Sequence, residues 1–188
     1  MKKHNPQRGP RAKPEPKRAP TAGVAQQPLA FPSEEQARSN WCWSAVACGT
    51  ARFYDKGSAW TQCKLAGALL GRTGCCGAGP AAEACDLPGE LQAALVKVGH
   101  LQSWDAGYAG KADLAKELGA GHVVGVRIGW RGGGGHFVIV RGFDQKSGTV
   151  WVADPAAGPQ RLAYEALRGS YRGLGKWTHT FWTRSVKP

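Results

Sequence analysis

Long apolar runs are absent from this 188-residue sequence. No stretch reaches about eighteen apolar residues, the length that a membrane-spanning helix needs, so we expect no membrane span. The N-terminal residues also lack the apolar core of a Sec signal peptide. We therefore favour secretion or translocation by a non-Sec route, and a cytoplasmic location is the alternative.

Acidic residues are scarce, with 13 Asp and Glu against 25 Lys and Arg, and the formal net charge is +12. Half of that net charge lies in residues 1–28, and seven of the twelve prolines lie at or before Pro32. A segment of this composition cannot bury enough apolar surface to fold. We therefore predict a disordered basic tail over residues 1–30 and one folded domain over residues 31–188. The tail has no aromatic side chains that could stack on bases, so we expect no nucleic-acid partner and favour a leader, a pro-segment or a secretion address.

The cysteines lack the C-x-x-C spacing that is typical of zinc sites. Four of them fall within 23 residues: Cys63, Cys75, Cys76 and Cys85. Two disulfides, which would indicate an oxidising compartment, are favoured over a four-cysteine zinc site and over four reduced thiols, and we expect no bound metal. Adjacent cysteines are poor partners for each other, so Cys63 and Cys85 would each pair with one of the adjacent two. Cys48 is expected to be buried and free.

The stretch from Gln36 to Ala47 predicts the start of a buried helix. Apolar residues follow helical spacing from Cys42 to Phe53, and Ser39 or Asn40 can cap the N-terminus. A thiol in the first turn lies at the positive end of the helix dipole, which favours the nucleophilic thiolate. The alternative is a small core cysteine without a chemical role.

Two later stretches supply the partners that a nucleophilic cysteine needs. His136 follows the run Gly132–Gly135 and begins an apolar strand, and Asp154 ends another strand. A base must take the thiol proton, and a third group must orient that base. The glycine run lacks the Lys-Ser/Thr of a phosphate loop, and the other histidines have no glycine-rich approach. His136 is therefore the candidate base, and Asp154 is the candidate orienting residue.

The order of the predicted elements favours an α+β domain. Helices are predicted first, from Cys42 onward and over residues 62–70, 91–98 and 111–118. Strands follow over residues 122–128, 137–143, 149–153 and 178–183.

Over residues 31–182 these features resemble a papain-like cysteine protease of the compact bacterial kind. That kind includes avirulence proteases of plant pathogens and bacteriocin-processing peptidases. Gln36 stands six positions before Cys42, the family's spacing between the oxyanion-hole glutamine and the nucleophile. Cys42-Trp43-Ser44-Ala45 matches the opening of the family's central helix, and Gly135-His136 matches its catalytic histidine strand. Asp154 lies eighteen residues after the histidine, where the family has Asn or Asp.

The resemblance implies a papain-like fold, with a helical half that carries the cysteine on a long central helix. A twisted antiparallel sheet would carry His136 and Asp154. It implies a peptidase that forms a thioester through Cys42, uses the Gln36 side chain in the oxyanion hole and needs no cofactor. We expect a protein or peptide substrate, a monomer, and a role as a secreted bacterial effector or a processing protease. The alternatives are an amidase or transamidase acting on peptidoglycan or isopeptide bonds, and a catalytically silent binding module.

The sequence departs from papain around both reacting groups. Ser39-Asn40-Trp41 replaces the Gly-Ser-Cys segment that commonly precedes the nucleophile. The orienting residue is Asp154 rather than Asn, and no Trp follows it, so the aromatic cover of papain is expected to be absent. Trp130 and Trp151 are expected to pack at the boundary between the two halves.

Overall fold

The computed structural model of this protein describes residues 27–185, and helices precede most of the strands. The helices are α1 (Cys42–Tyr54), α2 (Gln62–Leu70), α3 (Pro80–Glu83), α4 (Leu91–Lys97), α5 (Lys111–Gly119) and α6 (Tyr164–Gly169). The strands are β1 (Leu101–Ala106), β2 (Val124–Trp130), β3 (Gly135–Asp144), β4 (Thr149–Asp154), β5 (Gly158–Ala163) and β6 (Gly175–Thr183). The α+β prediction is confirmed.

The six strands form one antiparallel sheet in the order β1-β6-β2-β3-β4-β5. Helices cover both faces of the sheet. Because alternate residues of a strand point to opposite sides, each strand contributes side chains to two cores. In β3, Phe137 and Ile139 belong to the core that contains α1, α2 and α4. Val138 and Val140 belong to the core beneath α5 and α6. Strand β3 is thus fixed from both sides, and so is the histidine at its start.

Helix α1 lies in the middle of the fold and is buried over its first ten residues. Small residues such as Ala45, Ala47 and Gly49 let neighbouring elements approach its backbone closely. A Cβ at Gly49 would come within 2.8 Å of the Phe31 ring. Packing on every side, rather than amphipathic exposure, therefore fixes the position of this helix.

The predicted cap of α1 is wrong. Trp41 occupies the N-cap position, and no side chain accepts a capping hydrogen bond there. The Asn40 amide instead donates to the Asp86 carbonyl, and the Asn40 backbone N–H donates to the Asp86 carboxylate. The longer-range partner outcompetes the local cap, because it ties two chain segments together.

Two disulfides join the helices near the start of α1. Cys63 bonds to Cys76, and Cys75 bonds to Cys85. Two disulfides are thus present, as expected, and each of the adjacent cysteines pairs with a cysteine outside the adjacent pair. The structure adds which partner each one takes. Cys48 is buried and free, also as predicted.

Residues 27–30 of the predicted tail lie against the domain. Leu29 exchanges hydrogen bonds with Arg141: its N–H donates to the Arg141 carbonyl at 2.7 Å, and the guanidinium donates to the Leu29 carbonyl. Its side chain packs against both cores. The remainder of the predicted tail, residues 1–26, lies outside the described residues. Between residues 27 and 185, no helix is long and apolar enough to cross a membrane.

Candidate active site

Cys42 is the first residue of α1 and is 7% exposed. The segment 85–87 holds the chain on both sides of it. The Trp41 indole donates to the Cys85 carbonyl at 2.7 Å, and the Trp43 indole donates to the Leu87 carbonyl at 3.2 Å. The thiol is therefore placed by two large, buried anchors and by the start of a helix whose dipole favours a negative charge.

His136 is the second residue of β3 and faces α1. The Cys42 side chain lies close enough to this ring to raise the pKa of His136. The His136 Nε2 atom lies 2.7 Å from Asp154 Oδ1, so Nδ1 is the nitrogen that remains for the thiol. The structure thus brings together three residues that the sequence separates by up to 112 positions.

Asp154 ends β4 and is 2% exposed. Besides His136, its Oδ1 accepts hydrogen bonds from the backbone N–H groups of Ala156 at 2.7 Å and Ala157 at 3.2 Å. Its Oδ2 accepts a 2.6 Å hydrogen bond from the Tyr171 hydroxyl. The carboxylate is therefore buried with both oxygens satisfied, which is the condition under which a buried charge is tolerated.

The arrangement keeps the histidine charged at neutral pH. Burial by itself lowers the pKa of His136, but hydrogen bonds to Asp154 and Cys42 and the charges of both raise it to about 9. Burial raises the pKa of Asp154, yet its hydrogen bonds and the imidazolium outweigh burial and hold that pKa below its ordinary value. At pH 7 the geometry thus favours an imidazolium between an anionic carboxylate and the thiol.

Gln36 lies beside this group. Its backbone N–H donates to the Pro155 carbonyl at 2.9 Å, which places it next to Asp154. Its Nε2 donates to the carbonyls of Arg38 and Ser39, at 2.9 and 2.7 Å. Its Oε1 is buried and without a hydrogen-bond partner. Both amide hydrogens are thus engaged with the turn that leads into α1.

Gln62 holds the Gln36 segment in place. Its Oε1 accepts from the Ala37 N–H at 2.9 Å, and its Nε2 donates to the Glu35 carbonyl at 2.9 Å and to the Glu34 carboxylate. Sequence reasoning did not identify this residue, because a glutamine that begins a helix carries no recognisable signal.

The aromatic surroundings also differ from expectation. The Trp130 ring stacks on His136, with ring centroids 6.1 Å apart and planes 20° apart. An aromatic cover is therefore present, although it comes from the end of β2 rather than from the residue after Asp154. Tyr171 was also missed, since the loop around it has no motif.

The described residues contain no group of three or more His, Cys, Asp or Glu side chains that could hold a metal ion. What the site offers is a cysteine side chain beside a protonated imidazole that is hydrogen-bonded to a buried carboxylate. This donor set is suited to nucleophilic catalysis of acyl transfer.

Comparison with known proteins agrees with this chemistry. The model of the family described as the Peptidase_C39 like family matches residues 28–179. No curated protein matches the chain. A similar solved structure is a double-glycine-motif protease from an AMS/PCAT transporter, crystallised with the leader peptide. It is 18% identical over 85% of this chain and 96% of that chain, with a TM-score of 0.48. Because the family model spans most of the sequence, the chain belongs to the Peptidase_C39-like family and is a papain-like cysteine peptidase.

Proposed function

We propose that this protein hydrolyses peptide bonds through a thioester formed on Cys42, with His136 as acid and base and Asp154 as the orienting residue. The observation that carries the proposal is the buried His136–Asp154 hydrogen bond, with the Cys42 thiol close enough to the same imidazole to raise its pKa. A binding module has no need for a charged imidazole held between a thiol and a buried carboxylate.

In the proposed resting state the thiol proton of Cys42 has moved to His136, which gives a thiolate–imidazolium pair. The reaction begins when the Cys42 thiolate attacks the carbonyl carbon of the scissile bond, and the carbonyl oxygen becomes an oxyanion. The His136 imidazolium donates its proton to the leaving amine as the C–N bond breaks, and an acyl thioester remains. Neutral His136 then removes a proton from water, which attacks the thioester. The C–S bond breaks, the acid product leaves, and the thiolate–imidazolium pair is restored.

Two groups are placed to stabilise the oxyanion. The Cys42 N–H is the first of α1 and has no partner within the helix. The Gln36 amide is the second, and it must release at least one of its hydrogen bonds to Arg38 and Ser39 to donate to the oxyanion. Its unpartnered Oε1 supports such a movement, because the resting orientation leaves a buried acceptor unsatisfied.

We also propose that the protein acts on a peptide or protein substrate outside the cytosol, as a secreted effector or a processing protease. Two disulfides support this destination, because cytosolic thiols are kept reduced. No cofactor or second subunit is needed for the steps above.

The test uses the full-length protein with a complex peptide library and, in parallel, purified peptidoglycan, with the products identified by mass spectrometry. Cys42→Ala should abolish cleavage. Cys48→Ala is the matched control, because it removes the other free, buried cysteine of α1, and it should cleave as the wild type does. Cleavage that persists in Cys42→Ala would refute the proposed nucleophile, and release of peptidoglycan fragments alone would redirect the substrate to that polymer.

A further inference from the structure

The second oxygen of Asp154 has a dedicated partner outside the three proposed catalytic residues. Tyr171 lies in the loop between α6 and β6 and is completely buried. Its hydroxyl donates to Asp154 Oδ2 at 2.6 Å, opposite the oxygen that faces His136. The two oxygens of this carboxylate thus have different neighbours, and the Tyr171 bond prevents the carboxylate from rotating about its own axis.

Tyr171 is itself rigidly held. Its backbone N–H donates to the Gly175 carbonyl at 2.8 Å, and the Gly175 N–H donates back to the Tyr171 carbonyl at 2.9 Å. This exchange forms an isolated bridge that closes a tight loop. Its ring packs in the core beneath α5 and α6. A fixed ring gives the hydroxyl one position, which suits a group that must hold another side chain in place.

Trp130 links the tyrosine to the histidine. Its ring lies 6.1 Å from the His136 ring and 6.3 Å from the Tyr171 ring, measured between centroids. One indole therefore lies beside both side chains that are hydrogen-bonded to Asp154. Tyr171 and Asp154 are both buried, so the hydrogen bond between them lies away from the surface.

We propose that Tyr171 is a positioning residue for the peptidase reaction, which acts by holding Asp154 ionised and aligned on His136. The inference rests on the proposed function, since it assigns a role to the support of that same site. Tyr171 does not contact the thiol or the position of a substrate, and its effect passes through Asp154 alone.

The charges around Asp154 define the pH effect to expect. His136 faces it from β3, with Cys42 of α1 beyond the imidazole. Tyr171 approaches from the α6–β6 loop, where the charge of the neighbouring Arg172 acts on Tyr171, and Glu34 lines a small cavity that Asp154 also lines. Removing the tyrosine hydroxyl takes away a donor that lowers the pKa of Asp154, so this pKa rises and the carboxylate protonates at a higher pH.

The experiment compares the pH dependence of kcat/KM for the wild type, Tyr171→Phe and Tyr164→Phe. Tyr164→Phe is the matched control, because the Tyr164 hydroxyl is also buried and donates a hydrogen bond at 2.7 Å, but its acceptor is the Ala109 carbonyl. Tyr171→Phe should move the acid limb upward by about one pH unit, the shift that follows from losing one hydrogen bond to a charged group. Tyr164→Phe should leave the limb in place.

A second variant covers the case in which Tyr171→Phe does not fold cooperatively. Fluorotyrosine incorporated at position 171 keeps the ring and makes the O–H a stronger donor, so the acid limb should move to lower pH. The same profiles are measured by the rate of Cys42 alkylation, which requires no substrate. An acid limb that neither variant moves, or that Tyr164→Phe moves equally, overturns the inference. The proposed function is tested separately: it stands if Cys42→Ala is inactive, and it is refuted if Cys42→Ala still cleaves the substrate.

Discussion

The Trp41 indole donates a 2.7 Å hydrogen bond to the Cys85 carbonyl, which joins the residue before Cys42 to a disulfide-bonded loop. Asn40 and Trp43 bind Asp86 and Leu87 in the same way. The start of α1 is thus hydrogen-bonded to residues 85–87, and the Cys75–Cys85 disulfide fixes that segment in turn. The loop from Cys63 to Cys85 consequently supports the active site as well as the fold.

Breaking the Cys75–Cys85 bond should therefore impair catalysis beyond its effect on stability. Cys75→Ala/Cys85→Ala should lose about 2–4 kcal/mol of unfolding free energy and also lower kcat at temperatures where the protein is fully folded. Cys63→Ala/Cys76→Ala is the control, because its bond closes a loop of similar length, 13 residues against 10. Equal kcat values for the two double variants would show that the loop has no special effect on Cys42.

Iodoacetamide should distinguish the two free cysteines. At about pH 6, below the ordinary thiol pKa of about 8.5, Cys42 should be alkylated rapidly because the adjacent imidazolium favours its thiolate. Cys48 should not react, since burial raises its pKa to about 12. Peptide mapping after short labelling times measures both rates. Comparable labelling of the two residues would contradict an activated Cys42.

Substitutions of Asp154 should separate orientation from charge. With a protonated His136, an acceptor oxygen still orients the ring, so Asp154→Asn should retain more activity than Asp154→Ala, and less than the wild type because the carboxylate charge is lost. Asp154→Ala should lower kcat/KM by about 10²-fold or more. Loss of the carboxylate also lowers the pKa of His136 from about 9, so the alkaline limb of Asp154→Asn should move to lower pH. If Asn and Ala were equally inactive, a neutral Cys–His pair would be the better description of the resting enzyme.

Gln36→Ala should lower kcat by about 10²-fold with little effect on KM, the pattern expected when a donor to the oxyanion is lost. Folding should persist, because Gln62 and Pro155 hold the segment through backbone groups. Steady-state kinetics with a cleaved library peptide measure both parameters. An increase in KM alone would assign Gln36 to substrate binding instead.

Two N-terminal deletions should differ sharply. Removal of residues 1–26 should leave thermal unfolding and peptide hydrolysis nearly unchanged, because a segment of that composition cannot join a core. Removal of residues 1–30 also deletes Leu29 and its hydrogen bonds to Arg141, and should lower the unfolding midpoint. Calorimetry of both proteins would locate the N-terminal edge of the domain, and equal midpoints would place it after residue 30.

Sequence reasoning grouped correctly the residues whose type and spacing form recognisable motifs. The spacing of Gln36, Cys42, His136 and Asp154 predicted residues that lie together in the fold. The adjacency of Cys75 and Cys76 indicated that Cys63 and Cys85 would each pair with one of them, and it left open which. The catalytic roles of the first four stay predictions, which the variants above test.

The elements that were missed have weak local patterns. Strand β1 is largely exposed, and β5 begins Gly158-Pro159, so neither shows a buried alternation. They form because they pair with β6 and β4, which is information that a single stretch of sequence does not contain. Tyr171 was missed for the same reason, since its hydrogen-bond partner, Asp154, lies seventeen residues earlier in the sequence, at the end of β4.

Because Cys75 and Cys76 are adjacent, the two disulfides protect the loop from the effect of a single proteolytic cut. Only one peptide bond separates the two bridges, so a covalent path runs from Cys63 to Cys85 independently of most of the intervening backbone. A single cut at any bond between those two residues leaves the two pieces joined by at least one disulfide. The loop that holds the start of α1, much of it exposed around residues 71–81, can therefore be cut once while its two pieces stay covalently joined.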